Sequence, residues 1–194
     1  MKNMKNLITI LKAHLACASK DRKRLNIQCT RFEFSDGCVK LISTDGHLLL
    51  ISNITKLEYI EYLKEIFVNA KDVNILYIYN NIMKIIISLL IKDIKYILQS
   101  NEIEVSDFIS FPDYKKVLPE FPVYDDIKEV VDICQAGKRF LPGFLSCIED
   151  LEKVIKDVEV IKKTDGIKFF KEHVTYEATT KEYSFYLLTI ALKK

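Results

Sequence analysis

Ser43-Thr44-Asp45-Gly46-His47 brings two hydroxyls, a carboxylate and an imidazole into one short stretch. Such groups serve nucleophilic or general-base chemistry when a third group orients the base and donors await an oxyanion. No such pattern accompanies them here. Asp45, Asp113 and Asp125-Asp126 are the carboxylates that a metal cluster would have to recruit. His14, His47 and His173 stand apart from one another, without the short paired spacing of a zinc site. The chain has five glycines and no glycine-rich phosphate loop. The expectation is therefore no catalytic residue, no metal site and no cofactor.

A second stretch, Ser110-Phe111-Pro112-Asp113-Tyr114-Lys115-Lys116-Val117-Leu118-Pro119, is unusual in a different way. Three of the four prolines fall between 106 and 122. Proline fixes φ and removes a ladder donor, so this reads as an extended linker. Asp45-Gly46, by contrast, reads as a turn ahead of a strand.

The elements that must position these residues follow from periodicity. Met4, Leu7, Leu11, Leu15 and Ala18 lie at helical spacing. Alternating runs at 27–34 and 38–43 flank Ser35-Asp36-Gly37, a hairpin signal, and a further strand covers 47–52. A second unit opens with a helix on Tyr59, Tyr62, Leu63, Ile66 and Phe67. It continues as strands at 73–79 and 82–89 about an Asn80-Asn81 turn, then a strand at 94–98. A third helix carries Phe144, Ile148, Leu151 and Ile155, with strands at 158–162, 167–171, 174–178 and 184–191. One further strand-like run spans 127–134. Hairpin turns thus centre near 36, 80 and 165, the second gap close to double the first. Such repetition predicts an α+β fold of helix-plus-antiparallel-sheet units, with the helices on one face.

Of the 194 residues, 49% are hydrophobic, enough for a sizeable core. Net charge is +2, from 29 basic and 27 acidic residues, so any nucleic-acid surface must be local. The longest apolar run, 85–91, is interrupted by Ser88 and falls short of the ~20 residues of a membrane span. The first apolar stretch is too short and too soon broken for a signal peptide. Five cysteines without a CxxC read as buried, reduced thiols of a cytoplasmic protein.

Thr44-Asp45-Gly46-His47 and the Phe111–Pro119 segment, in this order, resemble the bacterial β sliding clamp, the ring that tethers DNA polymerase III to its template. Residues 1–110 look like a complete clamp domain, the middle one. Residues 111–124 resemble the linker to the last domain, and 125–194 the second half of that domain, ending in Tyr186-Leu187-Leu188-Thr189. Nearly the whole chain is covered, but only about half of a full clamp subunit. The family commonly has arginine after the motif histidine, where Leu48 stands here, and a proline where Ile190 stands.

The resemblance implies a non-enzymatic replication factor whose outer-face groove takes short linear peptides from polymerases and clamp loaders. Carried over by position, Thr44, Gly46, His47, Leu49, Pro112, Lys116, Val117, Leu187 and Thr189 would line that groove. Leu49, Pro112, Val117 and Leu187 would give an apolar floor. Gly46 would let a partner backbone approach, and His47 and Lys116 would bond its carbonyls or carboxylate. Plainer readings stand beside these: His47 and Leu187 as core, Lys116 as a solvated charge, the prolines as stiffeners. The resemblance also implies duplex DNA against the helices, met through Lys5, Lys12, Lys20, Arg22, Lys23 and Arg24. The third helix is acidic and would repel a duplex. A clamp-like protein that lost its ring and serves as an adaptor or competitor is the alternative. A homo-oligomer is expected, since a half-domain leaves an edge or apolar face uncovered. It would be a two-fold dimer joined tail to tail, unless the half-domain packs back on the first domain.

Overall fold

The computed structural model describes residues 4–67, 74–94, 110–118, 141–156, 167–170 and 173–189. The sequence expectations for the strand at 94–98 beyond Ile94, for strands at 127–134 and 158–162 and for the turn at 164–166 lie outside these residues, as do 119–124 of the linker.

Helix α1 (Lys5–Cys17) opens the fold and buries Leu7, Ile10, Leu11, His14 and Cys17 along one stripe. A one-turn 3-10 helix at Leu25–Ile27 leads into the hairpin of β1 (Cys29–Ser35) and β2 (Cys38–Thr44), turned at Gly37 with φ +72°. Strand β3 (Leu48–Ile54) follows, then α2 (Leu57–Ile66) and β4 (Ile75–Tyr79). Helix α3 covers Asn80–Ile91, and a 3-10 turn covers Tyr114–Val117. Helix α4 (Leu141–Lys156) precedes β5 (Ile167–Phe170), β6 (His173–Thr179) and β7 (Tyr183–Thr189).

The strands form one antiparallel sheet in the order β4-β1-β2-β3-β7-β6-β5. Its centre is the β3–β7 pair, matched from Leu48↔Thr189 to Ile54↔Tyr183. Residues from both expected regions, 1–110 and 125–194, therefore share one sheet. Helix α1 touches both α3 and α4. Buried residues of all four helices join Phe32, Leu41, Leu50 and Leu187 in one core on one side of the sheet.

One expected element is corrected. Residues 82–89 form most of helix α3, not the second strand of a hairpin. Met83, Ile86, Ile87 and Leu90 fall on one helical face and are buried, which a strand would split between two faces. Asn80 does not turn a hairpin: its amide N–H donates to Gln28 O at 3.0 Å and its Nδ2 to Ser19 O at 2.8 Å, anchoring the helix start.

A polar network lies inside this core. His14 hydrogen-bonds with Ser43 Oγ at 2.9 Å through Nδ1 and with Ser52 Oγ at 2.7 Å through Nε2. Thr30 Oγ1 reaches Ser43 Oγ at 2.9 Å. All four residues are fully buried. Burial lowers the His14 pKa to about 3, so the imidazole is neutral and both ring nitrogens are used in positioning.

Candidate functional site

The turn between β2 and β3 is locked by its own side chains. Asp45 Oδ1 accepts from the N–H groups of His47 and Leu48, both at 2.7 Å. Thr44 Oγ1 donates to Leu48 O at 2.6 Å and accepts from Gly46 N at 3.0 Å. Short side-chain-to-backbone bonds of this kind are why Thr, Asp and Gly suit a tight turn. Gly46 has φ +91°, a conformation that disfavours any side chain.

Directly paired strand residues share a face. Thr44 pairs with Leu49, and Leu49 with Leu188. Ile42, Leu49, Ile51 and Leu188 thus form an apolar patch on the side of the sheet away from the helices. Segment 110–118 crosses that patch as a strap, packing Phe111, Tyr114 and Leu118 onto it. Asn26 Nδ2 donates to Ser110 O at 3.1 Å, and the Phe111 ring lies 5.9 Å from that of Tyr77. Burial first, and then the nearby Glu33 charge, raise the phenol pKa of Tyr114.

The motif turn, the proline-bearing strap and the last strand therefore meet on one face, although they are far apart in sequence. Within that meeting, the expected groove residues occupy different places. Pro112 is exposed, and Lys116 is 81% exposed with Asp113 Oδ2 at 3.6 Å. Gly46 and His47 are half-buried at the rim. Thr44 is buried and committed to its turn. Leu49 is buried beneath the strap, so it belongs to a closed cluster rather than an open floor. Leu187 pairs with Leu50 and points into the helix-side core, so its neighbour Leu188 holds the outer-face position. Val117 lies in the strap's 3-10 turn, and Thr189 pairs with Leu48.

Sequence reasoning did not name Phe111, Tyr114, Leu118 or Leu188 for this face. The alternation of β7 was visible, but not which parity faces the helices. Of the expected DNA set, Lys5 and Lys12 lie two turns apart on the exposed side of α1. Lys20, Arg22 and Lys23 are exposed in the loop beyond it. Arg24 departs from that group: its Nη1 donates to Asp45 O at 2.9 Å, so it reaches the motif turn. Among the described residues no group of His, Cys, Asp and Glu is arranged to hold a metal ion, and no helix is long and apolar enough to cross a membrane.

This architecture is similar to that of solved sliding clamps. The DNA polymerase III β subunit of Thermotoga maritima matches with a TM-score of 0.50 and 14% identity, over 98% of this chain and 64% of that one. A DnaN sliding clamp of Bartonella birtlesii, bound to griselimycin, matches with a TM-score of 0.44 and 14% identity, over 97% and 50% of the two chains. The chain thus spans less than two thirds of the length of either. No protein-family model and no curated protein matches the sequence. The fold is α+β, helices on an antiparallel sheet, as in the clamp fold of the Thermotoga maritima structure.

Proposed function

We propose that this protein is a sliding-clamp-like replication processivity factor, without catalytic activity of its own. It takes short linear peptides of polymerase and clamp-loader proteins at the outer-face rim, where turn 44–48, the strap and β7 converge. That convergence of three sequence-distant pieces on one face of a clamp-type fold is the observation that carries the reading. The partly exposed apolar side chains there are Phe111, Leu118 and Tyr186. They would meet the peptide's aliphatic and aromatic groups, while the sealed Leu49 and Leu188 support them from below. Cytoplasmic work as a homo-oligomer fits this role.

The groups that could do chemistry are buried. His14 has two serine hydroxyls in reach, yet the whole set is closed from solvent and from any substrate. Burial also raises the Cys17 thiol pKa well above its ordinary value and that of Cys147 to about 11, which leaves both unreactive.

The test is fluorescence titration with a short labelled peptide of leucine and phenylalanine. A micromolar Kd is expected. Absence of binding at about 100 μM removes the groove assignment, because even a Kd of 1 mM corresponds to only ~4 kcal/mol.

A second reading, an adaptor or competitor without a ring, draws on helix α4. It packs against α1, yet carries Glu149, Asp150 and Glu152, with Lys153 tied to Asp150 at 2.7 Å. An acidic helix beside the lysines of α1 weakens the case for a duplex lying along this layer. DNA binding with a steep salt dependence favours the clamp, whereas peptide binding without it favours the adaptor.

A further inference from the structure

The geometry points to Arg24 as a carboxylate-binding residue of the outer-face groove, reading an acidic group on the bound peptide rather than a DNA phosphate. This rests on the groove reading above and names the chemistry of one of its subsites.

The guanidinium is held in place by the motif turn. One N–H, on Nη1, donates to Asp45 O at 2.9 Å. The rest of the group lies over Gly46, in the space a side chain would need. A Cβ there would stand 2.9 Å from Nη1, 3.1 Å from Cζ and closer still to Nη2. Gly46 therefore does more than permit a positive φ: its bare Cα is the platform on which Arg24 rests. The approach expected there for a partner's backbone is already occupied by this side chain.

Arg24 remains exposed, and no carboxylate among the described residues pairs with it in an ion pair. Asp45, whose backbone carbonyl takes the Arg24 bond, has its Oδ1 turned onto the N–H groups of His47 and Leu48. The same loop is tied to the start of the strap by Asn26 on Ser110 O. A cation fixed at one corner, its remaining N–H donors without a hydrogen-bond partner among the described residues, thus stands at the rim where turn and strap meet. Lys116, the other cation proposed for this rim, already has Asp113 beside it. A planar guanidinium held this way suits bidentate recognition of a carboxylate, which an ammonium cannot match. A phosphate on a duplex would instead need Arg24 to join Lys20, Arg22 and Lys23, away from the turn that holds it.

The experiment uses the full chain and three fluorescent peptides of leucine and phenylalanine. One ends in a free carboxylate, one in an amide, and one in an amide with an internal aspartate. Each is titrated against wild type, Arg24→Gln and Arg24→Lys. The peptide carrying the carboxylate should bind wild type about tenfold more tightly than the plain amide. The aspartate arm tells a terminal from a side-chain carboxylate. Arg24→Gln should erase that ratio, weakening the carboxylate peptides far more than the amide, and Arg24→Lys should keep only part of it. Equal binding of all three peptides to wild type overturns the inference while the groove stands. Equal weakening of all three by Arg24→Gln also overturns it, leaving Arg24 a support of the turn. A change in the salt slope of DNA binding, with the peptide ratio intact, overturns it in favour of a phosphate contact. If no peptide binds wild type, the groove reading fails first and takes this one with it.

Discussion

The two faces of this sheet are built from the same strands and closed in different ways. On one side Phe32, Leu41, Leu50 and Leu187 lie beneath helices, with the His14 network sealed among them. On the other, Ile42, Leu49, Ile51 and Leu188 lie beneath one short strap. Alternation supplies apolar residues to both faces, so burial alone does not tell them apart. What differs is the cover. Helices joined to the sheet along their length make a face that holds the fold together. A strap held by Asn26, the Tyr77–Phe111 ring contact and Tyr114 leaves a rim with reachable groups.

Adjacent leucines on β7 test that difference directly. Leu187→Ala opens a cavity beneath rigid helices and should cost about 3–5 kcal/mol of unfolding free energy. Leu188→Ala opens one beneath the strap, which can settle into the space, and should cost about 2 kcal/mol. Chemical denaturation of the pair measures both. Equal costs would mean that the strap is as unyielding as the helical layer, and the contrast between the faces would fail.

Much of the helix side was legible. The stripe of α1, the Asp36-Gly37 hairpin, β3, the stripes of α2 and α4 and the alternation of β7 all follow from periodicity. Helix α3 was not, because a run rich in isoleucine satisfies helical and strand patterns together. Its period is present in Met83, Ile86, Ile87 and Leu90, but the Asn80-Asn81 pair resembles a turn. The outer side was less legible. A strand's alternation divides its residues between two faces without saying which face is which; it is Leu188, not Leu187, that lies on the outer face. The cover given by Tyr114 and the seat of Arg24 on Gly46 are contacts across long sequence separations, and no local pattern announces them. His14 had a readable signal, since it follows Leu7 and Leu11 on the buried stripe of α1.

That histidine gives the helix side a pH dependence. Its folded-state pKa of about 3 lies below its ordinary value of 6.5, so below that ordinary value the unfolded chain binds a proton that the folded chain refuses. Stability is full above pH 6.5 and is lost as pH falls toward the folded pKa. At about pH 5 the loss should be about 2 kcal/mol. His14→Gln should flatten this limb of the profile, whereas Leu188→Ala should shift the whole curve without changing its slope. An unchanged slope in His14→Gln would mean that the network admits a proton without opening.

The outer face should respond least to loss of a single polar group, and Tyr114→Phe measures this. The substitution keeps the ring that covers Leu49 and Leu188 and removes the hydroxyl whose phenol feels the Glu33 charge. Glu33 is not stranded by the change, because Arg31 stands 2.7 Å from it and Lys40 3.8 Å. With Glu33 still paired, the cost should not exceed that of one net hydrogen bond, about 1 kcal/mol by denaturation. Peptide affinity at the rim should hardly move, since the strap keeps its apolar contacts. A loss near that of Leu187→Ala, or a collapse of peptide binding, would mean that one phenol organises the whole strap. The outer face would then depend on a buried polar anchor in the way the helix face depends on His14.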